Sequence, residues 1–196
     1  SDVVRQASAM RWYGPVFRAF LRRAAVILPT SRAYLETSPW LEEARERCVV
    51  VPLGIETEAF ESADPERVAA LRAAYGDPFV LFAGRHRYYK GLPVLVRAAS
   101  RIGATVVIAG DGPERAPAMA LAASLGLKNT RFPGALSQAD LVAHYHACAV
   151  VAFPSVARSE AFGLTILEAH ACGRPVVATR LGTGVEHANL DGVTGL

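Results

Sequence analysis

The sequence has little cysteine, and its cysteines do not form a metal-binding or disulfide pattern. Only three occur in 196 residues, Cys48, Cys148 and Cys172, and no two of them make a C-x-x-C pair. Disulfide frameworks and zinc sites need paired or closely spaced cysteines. His144 and His146 stand two residues apart on a predicted helix, so they do not share a face for a metal. The sequence therefore predicts no metal site, and a reducing compartment, the cytoplasm, suits it best.

Long apolar runs are also absent. No run approaches the roughly 20 residues that cross a bilayer, and the first residues lack the charged-then-apolar order of a signal peptide. Hydrophobic residues make up 52% and charged residues 20% of the chain, which is ordinary for a folded globular protein. We expect a soluble or at most peripheral protein with one main core.

Positive charge is concentrated at the start of the chain. Residues 1–24 contain five arginines against one aspartate, whereas the net charge of the whole chain is only +3. A predicted helix over residues 11–23 carries part of this charge, with Phe17 and Phe20 between the arginines. We interpret it as a helix with a solvated arginine face. The alternative is peripheral contact of residues 11–24, or of a preceding domain, with the anionic inner face of the plasma membrane. A nucleic-acid partner is not expected, because the rest of the chain is not basic.

Short apolar runs alternate with longer segments of helical spacing from Phe79 onward. The alternation predicts an α/β fold, and the runs are apolar throughout because helices cover both faces of a parallel sheet. We therefore predict a Rossmann-like doubly wound parallel sheet. The predicted strands cover residues 79–83, 104–109, 130–132, 149–153 and 175–179, with helices such as 92–100 and 116–125 between them.

The first 51 residues do not follow this alternation, and Pro52-Leu53-Gly54 then interrupts the chain. A proline and a glycine at a change of pattern are typical of a domain boundary. We predict that residues 1–51 are the tail and crossing segment of a preceding domain. Residues 52–196 are predicted to be the main domain.

The loop after the first predicted strand is rich in cations and glycine. It reads Gly84-Arg85-His86-Arg87-Tyr88-Tyr89-Lys90-Gly91. Ligands of open α/β sheets bind beyond the carboxyl ends of the strands. An arginine fork, a lysine charge and the amides of the next helix suit an anion such as a diphosphate. The alternative is a basic surface loop.

Two carboxylates, Glu160 and Glu168, follow the fourth predicted strand. Gly163 is predicted to open a helix, so that Glu160 lies in the loop before it and Glu168 lies inside it among apolar residues. A carboxylate in apolar surroundings needs partners, and the hydroxyl groups of a ribose or hexose are suitable ones. The alternative is a surface pair that flanks an amphipathic helix.

Two further loops carry weaker patterns. Gly110-Asp111-Gly112-Pro113-Glu114-Arg115 begins like a dinucleotide fingerprint, but Arg115 stands where the third glycine belongs. We predict a mainly structural loop whose Pro113 is the first residue of a helix. A glycine-rich turn over residues 180–186 ends in Glu186 and is predicted to help close a sugar pocket, although it lacks the lysine of a phosphate-binding loop.

Taken together, these motifs resemble the C-terminal domain of a family 4 retaining glycosyltransferase of the two-domain GT-B architecture. Their order along the chain matches the family as well as their content, and the resemblance covers nearly the whole chain. It makes residues 52–196 the nucleotide-sugar-binding domain. The matching motifs are Gly84-Arg85 with Lys90-Gly91, Gly110-Asp111-Gly112-Pro113, Phe132-Pro133-Gly134, Pro154-Ser155, the E-x7-E pair Glu160 and Glu168, Gly173-Arg174-Pro175-Val176-Val177, and Asp191-Gly192 with Thr194-Gly195-Leu196.

The resemblance implies roles for these residues. Arg85 and Lys90 match the residues that bind the donor diphosphate. Glu160 would contact the hexose and Glu168 the ribose hydroxyls, and we count Glu160, Arg85 and Lys90 as catalytic. The backbone near the base, the phosphates and the sugar completes the implied donor-binding set, with Gly84, Phe132, Gly134, Phe162, Gly163, Leu164 and Thr165.

The implied chemistry is transfer of a hexosyl group from a GDP- or UDP-linked sugar to a glycan or lipid-linked saccharide, with retention and without a metal or other cofactor. Arg85, Lys90 and helix amides would neutralise the departing diphosphate. The loops most resemble the bacterial branch that builds surface polysaccharide and lipopolysaccharide. Because the family's first domain and last helices have no counterpart in this sequence, we expect a fragment that binds its donor weakly and is inactive alone.

Three alternatives stay open. A nucleotide-sugar epimerase or a phosphorylase shares the architecture, but the series of motifs does not suit an epimerase and no pyridoxal lysine can be placed. A non-catalytic nucleotide-binding domain would not need Glu160 and Glu168 together with Arg85 and Lys90. A dehydrogenase is disfavoured by Arg115 in the glycine position.

Overall fold

Five parallel strands form one sheet in the computed structural model, which describes residues 7–196 and the side chains of residues 12–196. The strands are β1 Phe79–Ala83, β2 Thr105–Ala109, β3 Thr130–Gly134, β4 Val150–Phe153 and β5 Val176–Ala178. Their order in the sheet is β3-β2-β1-β4-β5, and neighbouring strands pair in parallel. The predicted α/β class with a doubly wound parallel sheet is therefore confirmed.

Helices connect the strands and precede the sheet. Three short 3-10 helices cover Glu42–Arg47, Thr57–Phe60 and Tyr88–Lys90. Within the described part of the chain, no helix is both long and apolar enough to cross a membrane. The α-helices are α1 Ala7–Arg23, α2 Arg32–Thr37, α3 Pro65–Tyr75, α4 Leu92–Ala99, α5 Arg115–Ser124, α6 Gln138–Ala147, α7 Leu164–Ala171 and α8 Val185–Ala188.

Both faces of the sheet are buried. Leu81 of β1 and Val107 of β2 belong to a core cluster with residues of α3, α6 and α7, whereas Phe82 and Ile108 belong to a second cluster with α4 and α5. None of these four side chains is more than 1% exposed. Successive residues of a strand point to opposite faces, so a strand that is covered on both sides is apolar at every position. This is the physical reason for the continuous apolar runs in the sequence.

The prediction that Pro113 is the first residue of a helix is wrong. Asp111 accepts a hydrogen bond from the Gly112 N–H at 2.7 Å, and the Arg115 N–H donates to the Gly112 carbonyl at 3.0 Å. These contacts form a turn that contains Pro113, and α5 begins only after it. Two predicted ends move by more than one residue, since β3 continues to Gly134 and α1 begins at Ala7. The other predicted strands and helices differ from the structure by at most one residue at each end.

The end of α1 is capped by a residue from further along the chain. Nη1 of Arg47 donates to the carbonyl oxygens of Leu21, Arg22 and Ala24 at 3.0, 2.7 and 2.9 Å. A cationic donor is favourable at this end of a helix, where carbonyl groups lack partners. Leu21 is buried but belongs to neither core cluster of the sheet. The predicted domain boundary at residue 52 stays a prediction.

The predicted arginine-rich face of α1 is described only in part. Arg5 and the side chain of Arg11 lie outside the described residues. Further along the helix, the Arg18 guanidinium lies 5.4 Å from the centre of the Trp40 ring. Trp12 and Phe20 are exposed. The choice between a solvated face and a membrane contact stays open.

Candidate functional site

Most of the residues predicted to bind the donor follow β1 and β4, which are neighbours in the sheet, whereas Phe132 and Gly134 belong to β3. The chain runs from β1 outward through β2 to β3 and then crosses back to β4 on the other side of β1. Leu81 pairs with Val151, so the carboxyl ends of β1 and β4 are level. The loops that follow, residues 84–91 and 154–163, therefore start at one edge of the sheet. This change of direction is where open α/β sheets bind ligands.

The two loops are in direct contact. Gly91 has a φ of 70°, and a Cβ at this position would lie only 1.8 Å from the carbonyl oxygen of Pro154. Only glycine combines this backbone conformation with such a close approach. The Val156 N–H donates to the carbonyl of Tyr89 at 2.7 Å. The loop after β1 is thus fixed against the loop after β4.

Lys90 and Glu160 form a buried ion pair between these loops. Nζ of Lys90 lies 2.6 Å from Oε2 of Glu160, and the two side chains are 11% and 10% exposed. Ser155 donates its hydroxyl to the same carboxylate oxygen at 2.9 Å. The Lys90 ammonium also lies 4.9 Å from the centre of the Phe153 ring. Charges withdrawn from water need this combination of pairing and hydrogen bonding.

Glu168 lies inside α7, as predicted, and its carboxylate is bound by a residue that the sequence analysis did not single out. The hydroxyl of Tyr145 donates to Oε2 of Glu168 at 2.7 Å. Tyr145 has no exposed surface, and its burial, followed by the charge of Glu168, raises its pKa. The hydroxyl therefore stays protonated and acts as the donor. A buried tyrosine needs a hydrogen-bond partner, but the burial of Tyr145 is visible only in the structure, so the sequence gives no signal for this contact.

The start of α7 offers backbone amides to an anion. Gly163 precedes the helix with a φ of 89°, and a Cβ there would lie 2.8 Å from the Phe153 ring, so glycine is required. The N–H groups of residues 162–165 have no hydrogen-bond acceptor among the described residues. The N-terminus of a helix carries partial positive charge and favours phosphate or other anions.

A cleft of about 590 Å³ opens at the ends of β1 and β2. Arg85 is exposed in its wall, and its guanidinium makes no hydrogen bond or ion pair in the part of the chain that the structure describes. Residues 110–112 form another wall, because β2 lies beside β1 and its loop reaches the same edge. The prediction that this loop is mainly structural stays a prediction. The residues that line the cleft are Ala83, Gly84, Arg85, Ala109, Gly110, Asp111, Gly112, Ala135, Leu136 and Leu141.

Comparison with known proteins identifies the family. Residues 64–196 match the family described as "Glycosyl transferases group 1". The chain belongs to this glycosyltransferase family. It is 40% identical over 195 residues to O-antigen chain mannosyltransferase C of Escherichia coli. The match covers 100% of this chain and 52% of that relative. It is 37% identical over 196 residues to D-rhamnosyltransferase WbpZ of Pseudomonas aeruginosa, covering 100% of the chain and 51% of the relative.

A solved structure supports the same fold. The crystal structure of Anabaena Alr3699/HepE in complex with UDP and glucose superimposes with a TM-score of 0.75 at 26% identity, covering 91% of this chain and 52% of that one. The predicted resemblance to GT-B glycosyltransferases is confirmed. This glycosyltransferase chain spans about half the length of the curated relatives that it matches.

Among the predicted donor-binding residues of the glycosyltransferase, only Gly84 and Arg85 line the cleft. Lys90, Glu160, Glu168 and residues 162–165 do not line it, and neither do Phe132 and Gly134 of β3. Phe132 packs against the core cluster on the α4 and α5 side of the sheet, and its carbonyl accepts a hydrogen bond from Arg115 at 3.3 Å. The Gly134 carbonyl accepts a hydrogen bond from the Gly110 N–H at 2.7 Å. The following residues, Ala135 and Leu136, reach the cleft instead. The role of Phe132 and Gly134 near the base stays a prediction.

The carboxylate of Glu186 is occupied within its own loop. It accepts hydrogen bonds from the N–H groups of Leu181, Gly182 and Thr183 at 2.6, 2.6 and 3.1 Å. A carboxylate with three backbone donors stabilises the glycine-rich turn that follows β5. In the structure Glu186 therefore stabilises its own loop. The expected contribution of this turn to a sugar pocket stays a prediction.

The histidines on α6 are used separately. Nδ1 of His144 lies 2.6 Å from the Asp140 carbonyl, and Nε2 of His146 lies 2.9 Å from the Phe60 carbonyl. Their side chains therefore face different neighbours, as their spacing predicts. Among the described residues, no group of three or more histidine, cysteine, aspartate or glutamate side chains could ligate a metal ion.

Proposed function

We propose that this chain supplies the donor-binding site of a retaining hexosyltransferase, which transfers a hexosyl group from a nucleoside diphosphate sugar to a glycan or lipid-linked acceptor. The observation that carries the proposal is the buried Lys90–Glu160 ion pair at the edge where β1 and β4 end. A cation for a phosphate and a carboxylate for a sugar hydroxyl lie side by side there. In a nucleoside diphosphate sugar, the phosphate and the hexose are likewise adjacent.

Three kinds of hydrogen-bond donor are available to bind the diphosphate. Arg85 offers an exposed guanidinium, Lys90 an ammonium group, and residues 162–165 free amides at a helix N-terminus. Guanidinium groups bind phosphate oxygens in pairs, and the helix end adds partial positive charge. As the bond to the sugar breaks, negative charge develops on the diphosphate and these groups stabilise it. The proposed reaction therefore needs no metal or other cofactor.

In this proposal Glu160 both pairs with Lys90 and contacts the hexose of the donor. Donor binding brings a second anion to Lys90, so the ammonium group is shared between Glu160 and a phosphate. Glu160 retains the Ser155 hydroxyl, which lies 2.9 Å from Oε2. Its remaining lone pairs then accept a hydrogen bond from a hexose hydroxyl.

The similar proteins support the substrate class. Two of them are a mannosyltransferase and a rhamnosyltransferase, and the name of the first includes the O-antigen chain. A solved neighbour was crystallised with UDP and glucose. We therefore propose a GDP- or UDP-linked hexose as donor and a bacterial surface polysaccharide or lipopolysaccharide precursor as acceptor. A cytoplasmic location at the inner face of the membrane stays a prediction.

A titration with four nucleotides tests the proposal. UDP, GDP, ADP and NAD are each titrated into the chain by calorimetry, and one nucleoside diphosphate is expected to bind more tightly than NAD. Arg85→Ala should weaken this binding by about tenfold, because a hydrogen-bonded charge contact is lost. Arg87→Ala is the matched control, since it removes the other exposed arginine of the same loop.

The outcomes separate the alternatives. Loss of affinity in Arg85→Ala but not in Arg87→Ala supports a diphosphate site at the end of β1. Tighter binding of NAD supports the dehydrogenase. Equal effects of the two arginine variants contradict the proposed site, because they indicate only general attraction between the loop and an anion.

A further inference from the structure

Tyr145 connects α6 and α7 through a partly buried hydrogen bond of its hydroxyl. It lies on α6 without any exposed surface, and its ring packs 6.4 Å from that of Phe60 in the core cluster. Its hydroxyl donates to Oε2 of Glu168 on α7 at 2.7 Å. One turn earlier on α6, Leu141 lines the cleft at the ends of β1 and β2. The same helix therefore carries both a residue of the cleft wall and the partner of Glu168.

Glu168 differs from Glu160 in how its charge is compensated. Glu160 pairs with the Lys90 ammonium, whereas no lysine, arginine or histidine forms an ion pair with Glu168 in the described residues. A neutral hydroxyl is its only side-chain hydrogen-bond partner there. Its second oxygen, Oε1, accepts no hydrogen bond from that part of the chain. An ionised carboxylate accepts but does not donate hydrogen bonds, so Oε1 suits a ligand that donates.

We infer that Tyr145 is a positioning residue for the donor nucleotide: it fixes Oε2 of Glu168 so that Oε1 accepts hydrogen bonds from the ribose hydroxyls. The inference rests on the proposed function and extends it to a residue outside the motif pair. A hydrogen bond to a charged acceptor is short and directional, so it limits rotation of the carboxylate. Without it, the carboxylate samples other rotamers and loses its alignment with the ribose.

The test compares a ribonucleotide with an analogue that lacks both ribose hydroxyls. UDP, GDP and 2′,3′-dideoxy-UDP are titrated by calorimetry into the chain and into Tyr145→Phe, which removes one oxygen atom and keeps the ring. UDP or GDP binding is expected to weaken by about tenfold, because the aligned contact to a charged acceptor is lost. The affinity of Tyr145→Phe for the dideoxy analogue should stay within about twofold of the affinity of the unchanged chain. In a Glu168→Ala background, which removes the acceptor of the Tyr145 hydroxyl, Tyr145→Phe should add no further loss.

Tyr75→Phe is the matched control. Tyr75 is a partly buried tyrosine of the same core cluster, and its hydroxyl has no hydrogen bond among the described residues. The Tyr75→Phe variant should bind all three nucleotides with the affinities of the unchanged chain. If Tyr145→Phe does not fold, Tyr145→Met fills the same space with a flexible apolar side chain and carries the same expectation.

The outcomes distinguish this inference from the proposed function. If Glu168→Ala leaves UDP and GDP binding unchanged, the proposed ribose contact itself is wrong. If Glu168→Ala weakens binding but Tyr145→Phe matches Tyr75→Phe, only the positioning role is overturned. Equal weakening of UDP and the dideoxy analogue in Tyr145→Phe also overturns it, because that pattern indicates a general structural effect.

Discussion

Lys90 and Glu160 lie 2.6 Å apart, Nζ to Oε2, and are almost completely buried although they are charged and 70 positions apart in the sequence. Ser155 adds a hydroxyl donor to the same carboxylate oxygen. An exposed pair contributes little, whereas a buried pair leaves an unpaired charge when one partner is removed. The pair therefore serves both the stability of the two loops and the proposed chemistry.

Glu160→Ala is expected to destabilise the protein by about 3–5 kcal/mol, because the Lys90 ammonium stays buried without its partner. Urea unfolding measures the loss. The control is Arg67→Ala, which breaks a 3.1 Å pair with Asp140 whose side chains are 48% and 45% exposed. That variant should lose no more than about 1 kcal/mol. Similar losses in both variants would contradict the burial of the first pair.

Gly91→Ala is expected to destabilise the protein and to abolish nucleotide binding. Both the positive φ of 70° and the contact with Pro154 oppose a side chain there, and together they cost about 3 kcal/mol or more. Gly126 is the matched control, with a φ of 65° and no atom within 4 Å of its added Cβ. Gly126→Ala should cost only about 1–2 kcal/mol and retain binding. Thermal unfolding with and without UDP or GDP measures both effects. Equal losses of stability and of nucleotide binding in the two variants would show that the contact between the loops after β1 and β4 is unimportant.

Glu186→Ala is expected to loosen the turn after β5. The backbone N–H groups of Leu181, Gly182 and Thr183 lose their common acceptor. Their hydrogen exchange should accelerate, and Glu186→Gln should show a smaller change because its amide oxygen still accepts. Unchanged exchange at these three amides would show that the carboxylate does not order the loop.

Stability is expected to fall as the pH is lowered, with a contribution from His86. Its side chain is fully buried, and within the described part of the chain its Nδ1 has no hydrogen-bond partner. Burial lowers its pKa. Burial also lowers the pKa of His144 and His170. Each contribution is complete above the unfolded-state pKa of about 6.5 and is lost as the pH falls through the folded-state pKa, because the unfolded chain binds more protons.

The measurement compares free energies of unfolding of the chain and of His86→Asn between about pH 7.5 and 5.5. The free energy of unfolding of the variant should change less steeply with pH than that of the unchanged chain. The difference in slope should be at most about 1.4 kcal/mol per pH unit, which is the slope for uptake of one proton. Parallel curves would show that His86 is protonated equally in both states.

The sequence was sufficient for the sheet and for the positions of the two glutamates. The strands are covered on both faces, so their apolar runs were recognisable, and Gly163 correctly predicted the start of the helix that carries Glu168. Contacts between distant residues were not predictable in this way. The spacing within a motif says nothing about Tyr145, which reaches Glu168 from another helix, or about the pairing of Lys90 with Glu160.

Side-chain direction limited the prediction near the cleft. Phe132 belongs to β3, where successive side chains point to opposite faces, and its ring packs into the core behind the sheet. A motif that contains Phe132 therefore indicates the correct loop without showing which residues reach the cleft. Ala135 and Leu136, just beyond the strand, have that position.

A crystal structure of the chain with the nucleoside diphosphate sugar that binds best would locate the donor site. We expect the diphosphate to lie within hydrogen-bond distance of Arg85, Lys90 and the amides of residues 162–165, with a ribose hydroxyl on Glu168. A ligand in the second cavity, of about 490 Å³ and lined in part by Glu186 and Asn189, would contradict the proposed site. The same holds for a diphosphate that contacts neither Arg85 nor Lys90.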